Sequence, residues 1–291
     1  MKVLVTGSTG FVGSCIFKHL SQLSSLHIET ISIQKDIKKI ALDGVKHFAV
    51  DLADEKSLSD FLRKNKYDLL IHAAWEGLPL KDSDRNEKNI KMSVNLFENF
   101  VEFGGKNIIG LGSCLEYGDV RGQVCESSRG SNLTGFGESK RLLGAKLSRL
   151  GIPYVWLRPF YLYGSSQHSN SLINLAMNQR ESDSYSWMKD PFVSNDFVYI
   201  EDLGRLVVRL VSEELWIGEL NVGTSIATKN ITIVNSIRLY LGESCYEFQE
   251  DGNDGLAADL TKFKTHLPDF DFFSLEKGLS AVMHELIATK L

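Results

Sequence analysis

A glycine turn near the start of the chain is the feature that most constrains its fold. The β-branched run Lys2–Thr6 leads directly into Gly7, Gly10 and Gly13, and apolar residues then recur at helical spacing over Phe11–Leu23. In such a strand–turn–helix unit the first glycine allows a tight turn, the second admits a pyrophosphate close to the backbone, and the third lets helix and strand pack. The free N–H groups and the dipole at the start of the helix also attract phosphate. The spacing therefore predicts a dinucleotide-binding turn with the candidate contacts Gly7, Thr9, Gly10, Phe11, Val12 and Gly13.

Predicted strands and helices alternate along the first two-thirds of the chain. Short apolar runs indicate the strands, and segments with apolar residues on one helical face separate them. The predicted strands are 27–33, 45–50, 68–72, 107–111 and 154–157, and the predicted helices are 55–63, 86–103 and 137–150. This alternation is typical of an α/β fold, here a Rossmann-like doubly wound parallel sheet with helices on both faces.

The alternation stops after Gly164. The later predicted elements are a strand and a helix within 196–212, a short strand at 219–222, and helices over 256–266 and 275–291. We therefore expect an NAD(P)-binding Rossmann domain over 1–164 that also receives about 192–224. A smaller, mainly helical substrate-binding lobe is expected over 165–191 and 225–291.

Composition and charge narrow the classes of partner. The net charge is −5 and no Lys/Arg-rich run stands out, which argues against a nucleic-acid or anionic-membrane surface. Neither a signal-peptide core nor an apolar stretch of membrane-spanning length is apparent, so a cytoplasmic protein is expected. The 4 cysteines are scattered without a CxxC pair, which favours reduced thiols over a metal site.

The end of the second predicted strand bears on the choice of dinucleotide. A carboxylate there would bind the ribose hydroxyls of NAD. The strand instead ends with Ile31-Ser32-Ile33-Gln34-Lys35, which contains no acidic residue. Lys35 can bind the 2′-phosphate of NADP. NADP(H) is therefore favoured and NAD(H) remains possible; the alternative is that the lysines here form a solvated surface.

Several further motifs carry a family resemblance. They are Asp51-Leu52 after the third strand, His72-Ala73-Ala74 after the fourth, the segment 89–96 (NIKMSVNL), the segment 112–118 (GSCLEYG), the segment 157–164 (LRPFYLYG), the segment 195–202 (NDFVYIED) and Asn221-Val222-Gly223. Together with the glycine turn they resemble an extended short-chain dehydrogenase/reductase of the NDP-sugar epimerase/4-ketoreductase type. The resemblance implies that Asp51 and Leu52 hold the adenine, that Ala73 and Ala74 lie against the cofactor, and that the segment with Pro159 and Tyr161 follows the nicotinamide.

Enzymes of this family use a Ser or Thr hydroxyl, a Tyr that passes the proton, and a Lys that holds the ribose and lowers the pKa of that Tyr. The matching positions here are Ser113, Phe136 and Lys140, so phenylalanine occupies the tyrosine slot. Phenylalanine has no ionisable proton. Without the proton transfer that a tyrosine provides, turnover is predicted to be slower by roughly 10²- to 10⁴-fold. A Tyr-to-Phe variant, a non-catalytic binder, and substitution by Cys114, Tyr117 or a water are the explanations left open.

The residues after Ser113 bear on the type of reaction. Dehydratases that the chain resembles carry Asp-Glu there, whereas this chain has Cys114-Leu115. Dehydration is therefore disfavoured, which leaves 4-keto reduction and C4 epimerisation. Of the two, reduction of a 4-keto-6-deoxy NDP-sugar is expected. The segment Trp75–Pro79 is similar to surface-polysaccharide sugar reductases.

The alternatives are an NDP-sugar epimerase and a non-catalytic NAD(P)-binding regulatory protein. The epimerase would act at C4, or at C3/C5 with Cys114 and His168 as acid and base. The candidate substrate contacts are Trp75, Ser113, Cys114, Phe136 and His168. Where the resemblance holds, a homodimer through the helices 86–103 and 137–150 is common, so a homodimer is expected.

Overall fold

The computed structural model describes residues 1–33, 45–77, 83–179, 182, 184–248 and 255–288. The chain forms two compact units. The first comprises Met1–Asp119, Arg129–Arg158 and Leu203–Leu220, and the second comprises Val120–Ser128, Pro159–Asp202 and Asn221–Leu291.

The described residues form strands and helices with the following bounds. The strands are β1 (Lys2–Thr6), β2 (His27–Ser32), β3 (Lys46–Ala49), β4 (Leu69–His72), β5 (Asn107–Leu111), β6 (Gly122–Val124), β7 (Tyr154–Pro159), β8 (Tyr161–Tyr163), β9 (Ser194–Tyr199), β10 (Gly218–Val222), β11 (Ala227–Lys229) and β12 (Leu256–Ala258). The helices are α1 (Phe11–Leu20), α2 (Glu55–Lys64), α3 (Ser83–Glu102), α4 (Gly135–Leu147), α5 (Leu172–Asn178), α6 (Ile200–Ser212), α7 (Asn230–Tyr240), α8 (Thr261–His266) and α9 (Leu275–Ala288). None of these helices is both long enough and apolar enough to cross a membrane.

A seven-stranded sheet forms the centre of the first unit, with the strand order β10-β7-β5-β4-β1-β2-β3. The pairs β1–β2, β1–β4, β2–β3, β4–β5 and β5–β7 are all parallel. All four residues of β4 are buried, as expected for a strand covered on both faces. The predicted Rossmann-like parallel sheet is confirmed. Because parallel strands end at one edge, the residues that follow β1, β2, β4 and β5 share that edge, where such sheets bind ligands.

One tryptophan anchors the sheet to the helix that carries the candidate lysine. Trp156 in β7 is fully buried, and its ring fills the space left by Gly110 and Gly144. A Cβ at either glycine would lie less than 3.0 Å from a ring atom of Trp156. This close fit lets α4 approach β5 and β7, and it aims the indole N–H at the end of β5.

The second unit contains a five-stranded sheet that the sequence reading missed. Its order is β11-β9-β12-β6, with β8 paired to β9. The prediction of one helix over 256–266 was wrong, because Leu256–Ala258 forms β12 and the helix begins at Thr261. Four of these strands have 3 residues each, which is too short for an alternating pattern to show. Their pairings join segments far apart in the chain, such as Leu256 with Gly122.

The boundaries of the compact units bear on the predicted domains. Residues 159–164 and 192–202 belong to the second unit, and residues 203–220 belong to the first. The assignment of cofactor binding to 1–164 with 192–224, and of substrate binding to 165–191 and 225–291, stays a prediction.

Candidate active site

The glycine turn closes against the loop that follows β4. Gly7 has a φ of +73°, which favours glycine, and a Cβ there would lie 2.5 Å from the backbone nitrogen of Ala74. A Cβ at Gly13 would lie 2.1 Å from the Gly7 carbonyl oxygen, so only glycine lets α1 pack this close to the turn. Gly10 is different, because its Cβ would meet only the Gly7 oxygen at 3.4 Å. The surface beside Gly10 is therefore open to a ligand.

A groove with an empty volume of about 790 Å³ runs along the carboxyl edge of the sheet in the first unit. Its walls come from the turn after β1, the end of β2, the residues after β3 and β4, and one face of α3. Seven of the predicted cofactor contacts line it, namely Gly7, Thr9, Gly10, Asp51, Leu52, Ala73 and Ala74, together with the predicted substrate contact Trp75. Phe11 and Val12 form the first turn of α1, which begins beside this groove. The groove is open to solvent, and its wall at Gly10 leaves room for a phosphate.

The far end of the groove presents polar groups of two kinds. Ser32, the last residue of β2, lines it and its hydroxyl lies 3.0 Å from His47 Nε2. The exposed Asp51 carboxylate accepts a hydrogen bond from the backbone N–H of Ala53 at 2.9 Å. Lys35, the residue that favoured NADP(H), lies outside the described residues.

A neutral histidine supports the middle of the groove. His72 is buried, and its two ring nitrogens lie 2.8 Å from the hydroxyls of Thr6 and Ser93. Burial, together with the positive charge of Lys140, lowers the pKa of His72 to about 3. The ring is therefore uncharged at neutral pH and acts as a fixed link between β1, β4 and α3.

Asn89 is a second support, at the start of the family-like segment 89–96, and the motif alone does not reveal its role. It is buried in α3, where its Oδ1 accepts from the backbone N–H of Glu76 at 2.9 Å and its Nδ2 donates to the Glu76 carbonyl at 3.0 Å. Both hydrogen bonds fasten the chain directly after Trp75 to the helix. The pair of bonds holds this loop in one conformation.

Lys140 lies beside two aromatic rings at the end of β5. Its Nζ donates to the Leu111 carbonyl at 2.8 Å, lies 3.9 Å from the centre of the Trp75 ring, and lies 5.7 Å from the centre of the Phe136 ring. The two rings meet edge to face with centroids 5.6 Å apart. Burial lowers the pKa of Lys140 to about 7, against the opposing effect of the Glu116 charge. Both charge states of this lysine are therefore present at neutral pH.

The spacing of Phe136 and Lys140 produces this arrangement. Both lie in α4, four positions apart and hence on one face. The helix begins after Thr134, whose hydroxyl accepts from the backbone N–H of Gly137 at 3.0 Å. This cap sets the first turn, so Phe136 and Lys140 face β5 and Trp75 together.

Ser113 lies two residues after the end of β5 and caps the short 3-10 helix Cys114–Tyr117. Its hydroxyl accepts from the backbone N–H of Leu115 at 3.1 Å and keeps a proton to donate. Cys114 is buried, with 3% of its surface exposed. Lys140 Nζ binds the carbonyl of Leu111, the last residue of β5, and Ser113 comes two residues after Leu111. Both residues are therefore held at the same end of β5.

Glu116 is a buried carboxylate behind this site that the sequence reading missed. One oxygen accepts from the backbone N–H of Ser113 and from Trp156 Nε1, both at 2.9 Å, and the other accepts from Arg158 Nε at 2.8 Å. Three hydrogen-bond donors thus compensate this carboxylate for its burial. A glutamate three residues after a serine is the capping-box pattern, which could have indicated it.

The remaining predicted residues belong to the second unit. Pro159 ends β7 and Tyr161 begins β8. His168 precedes α5, and its carbonyl accepts from the backbone N–H of Ser171 at 3.0 Å and from Asn174 Nδ2 at 3.1 Å. Their roles in nicotinamide and sugar binding stay predictions.

Comparison with known proteins agrees with the fold and with the resemblance of the motifs. Residues 3–223 match the NAD dependent epimerase/dehydratase family. The chain is 26% identical to an uncharacterized UDP-glucose epimerase, YtcB, of Bacillus subtilis, over 96% of each chain. It is 25% identical to a dTDP-6-deoxy-L-talose 4-dehydrogenase (NAD(+)) of Aggregatibacter actinomycetemcomitans, over 74% of this chain and 82% of the relative.

A solved structure shows the same fold. The UDP-glucose 4-epimerase of Thermotoga maritima, solved with UDP-glucose, has a TM-score of 0.84 at 20% identity and covers 100% of both chains. The match of the family to three-quarters of the chain, with the parallel sheet and the glycine turn, identifies the protein as a member of the NAD dependent epimerase/dehydratase family, a family of enzymes.

Proposed function

We propose that this chain transfers hydride at C4 of a nucleotide-linked hexose, and that it works as the reductase of a 4-keto-6-deoxy NDP-sugar. The observation that carries the proposal is that Lys140 Nζ binds the carbonyl of Leu111 at the end of β5, two residues before Ser113. By the resemblance of the motifs, Phe136 on the same face of α4 takes the place of the family's tyrosine. The relative from Aggregatibacter, named as a 4-dehydrogenase, supports chemistry at C4. The pair Cys114-Leu115 supports reduction rather than dehydration.

The groove fits a nicotinamide dinucleotide. Gly10 leaves its surface open and the first turn of α1 supplies backbone N–H groups for a pyrophosphate. Asp51 and Leu52 would hold the adenine, and Ala73 and Ala74 would lie under the bound molecule. Names of relatives favour NAD(H), whereas Lys35 favours NADP(H). Titrations with NADH and NADPH, repeated on Lys35→Ala, decide between them: only a preference for NADPH that this change abolishes supports the role of Lys35.

The bound dinucleotide would supply or accept the hydride. The residues of the chain orient the sugar and handle its proton. Ser113 donates its hydroxyl hydrogen to the sugar oxygen, Lys140 holds the ribose, and Trp75 flanks the lysine. Phe136 fills the tyrosine position without a proton to give, so both ligands bind and turnover is slow.

Restoring the phenol tests this function. Phe136→Tyr is expected to raise the rate of reduction of a 4-keto-6-deoxy NDP-sugar by roughly 10²- to 10⁴-fold, while the Kd of the dinucleotide stays within about threefold. Nicotinamide absorbance gives the rate and calorimetry gives the Kd. If Phe136→Tyr turns over no NDP-sugar while it still binds the dinucleotide, the assignment fails.

An epimerase is the second candidate, because YtcB carries that name. An epimerase returns the hydride to the same sugar, so it consumes no net NAD(P)H, whereas a reductase oxidises one equivalent per product. Product analysis of the Phe136→Tyr variant separates the two. A product changed at C3 or C5 would support Cys114 and His168 as acid and base. A regulatory binder would stay inactive after the substitution.

The setting of this activity carries three further proposals. We place the protein in the cytoplasm, as a homodimer, in the synthesis of surface-polysaccharide sugars. The last assignment rests on the segment Trp75–Pro79, of which Leu78 and Pro79 lie outside the described residues. Sedimentation velocity tests the dimer, and a deletion strain that retains all its polysaccharide sugars would contradict the pathway.

A further inference from the structure

The absence of a phenol at position 136 leaves open which group moves the proton. The groups around the site differ in what they can offer. Glu116 is an acceptor held by three donors, and His72 is neutral with both ring nitrogens engaged. Lys140 Nζ, by contrast, shows one hydrogen bond, to the Leu111 carbonyl, and carries three hydrogens when charged.

We propose that Lys140 Nζ itself exchanges the proton with the sugar oxygen, directly or through one bridging water, in place of the phenol. This inference rests on the proposed function. It adds proton transfer to the ribose contact proposed above, and it differs from the role that the family resemblance implies, in which the lysine affects the proton only through the tyrosine.

The position of the ammonium favours this role. Phe136 lies at the position that matches the family's tyrosine, and Lys140 Nζ is 5.7 Å from the centre of its ring, so the nitrogen lies beside the place from which a phenol is missing. The Trp75 ring lies closer, with its centre 3.9 Å from the nitrogen, and it packs edge to face against the Phe136 ring. Burial of Lys140 beside these two rings keeps bulk water away from Nζ, so a sugar oxygen that enters next to the nitrogen would be the acceptor of its proton.

The acidity of the lysine suits the task. An acid–base catalyst works best when its pKa is near the working pH, because both forms are then available. Burial brings the pKa of Lys140 to about 7, far below that of an exposed lysine. A lysine of ordinary pKa would give up its proton too reluctantly to act as a base at neutral pH.

The step balances in atoms and electrons. During reduction the carbonyl carbon of the sugar takes a hydride from the dihydronicotinamide, which becomes the oxidised cofactor. The C=O π electrons move to the oxygen, which takes one proton from the Lys140 ammonium and becomes a hydroxyl. The neutral amine then regains a proton from solvent. The reverse reaction starts from the amine and ends with the ammonium.

The test is the pH dependence of hydride transfer in single turnover, measured in both directions on the full chain. If the ammonium is the acid, reduction is fast below pH 7 and falls about tenfold per pH unit above it, while oxidation rises through the same pH. Arginine keeps the charge and does not titrate. Lys140→Arg should therefore abolish both limbs of the pH profile, namely the fall of reduction and the rise of oxidation with pH. Lys140→Gln also removes the titrating group, and it serves the same purpose if the guanidinium does not fit beside Trp75 and Phe136. The matched control is Lys146→Arg, an exposed position on the same helix, which should leave both limbs in place.

A double-mutant cycle with Phe136→Tyr gives the second readout. Lys140→Arg should slow reduction at pH 7 by roughly 100-fold in the natural chain, but by only about tenfold or less when the phenol is present. Equal losses in both backgrounds would contradict the proposal, as would a pH limb that survives in Lys140→Arg. A limb that survives there but disappears in Cys114→Ser would assign the proton to the thiol.

Failure of this inference and failure of the proposed function give different results. If Phe136→Tyr reduces the sugar and the natural chain does not, the function stands and the lysine proposal is wrong. If neither chain turns over any NDP-sugar while both bind the dinucleotide, the proposed function is wrong and the lysine proposal falls with it.

Discussion

Gly10 and Gly13 belong to one motif but meet different surroundings. A methyl group at Gly13 would collide with the Gly7 backbone at 2.1 Å, whereas one at Gly10 would approach the same oxygen only to 3.4 Å. The motif alone predicts both glycines. Only the packed structure separates the one that the fold requires from the one that faces the groove.

This difference predicts opposite effects of two alanine substitutions. Gly13→Ala should destabilise the protein by about 1–3 kcal/mol, although alanine normally favours a helix interior, because the backbone of the turn must move. Gly10→Ala should change the free energy of unfolding by less than about 0.5 kcal/mol and weaken dinucleotide binding by its bulk in the groove. Urea unfolding and calorimetry measure the two quantities. Equal stability of the two variants would contradict this account.

At the scale of elements, the buried Asn89 of α3 holds the backbone of the loop after β4. Asn89 makes two hydrogen bonds to the backbone of Glu76, and the residue before it, Trp75, covers Lys140. The helix was predicted from its apolar spacing, and Asn89 from its motif. The clamp itself depends on where the loop after β4 turns, which helical periodicity does not determine.

Asn89→Asp is expected to break this clamp. The carboxylate cannot donate to the Glu76 carbonyl, so a buried acceptor loses its partner at a cost of about 1–3 kcal/mol. The control is Asn99→Asp on the same helix, where the half-buried side chain bonds to Asn95 and water can replace the lost donor. Urea unfolding should show a clearly larger loss for Asn89→Asp. Equal losses at the two positions would show that the clamp contributes nothing special.

At the scale of the whole molecule, the buried lysine couples folding to pH. The pKa of Lys140 is about 7 in the folded protein, against an ordinary value of 10.5. Between these values the unfolded chain binds a proton that the folded chain does not, so the contribution of Lys140 to stability rises with pH across this window and levels off below pH 7.

Lys140→Met should remove this contribution. The difference in unfolding free energy between the natural chain and the variant should change by about 1.4 kcal/mol per pH unit between pH 7 and 10, in favour of the natural chain as pH rises. Urea unfolding at pH 7, 8 and 9 gives that difference, and Lys146→Met controls for the loss of an exposed lysine. Parallel curves for the two proteins would place the pKa of Lys140 near its ordinary value.

The sequence by itself determined the parts of this protein that depend on neighbours along the chain. The glycine turn, the alternation of strands and helices, and the pair Phe136–Lys140 on one helical turn follow from local periods and spacings. The tertiary structure alone decided which residues meet across the fold. Trp75 and Lys140 are far apart in sequence but lie in contact. Glu116 is held behind Ser113 because Trp156 and Arg158 of β7 donate hydrogen bonds to it. Short strands, most of them of three residues, form a second sheet. The physical reason is that these contacts come from packing and from strand pairing between distant segments, which no local pattern records.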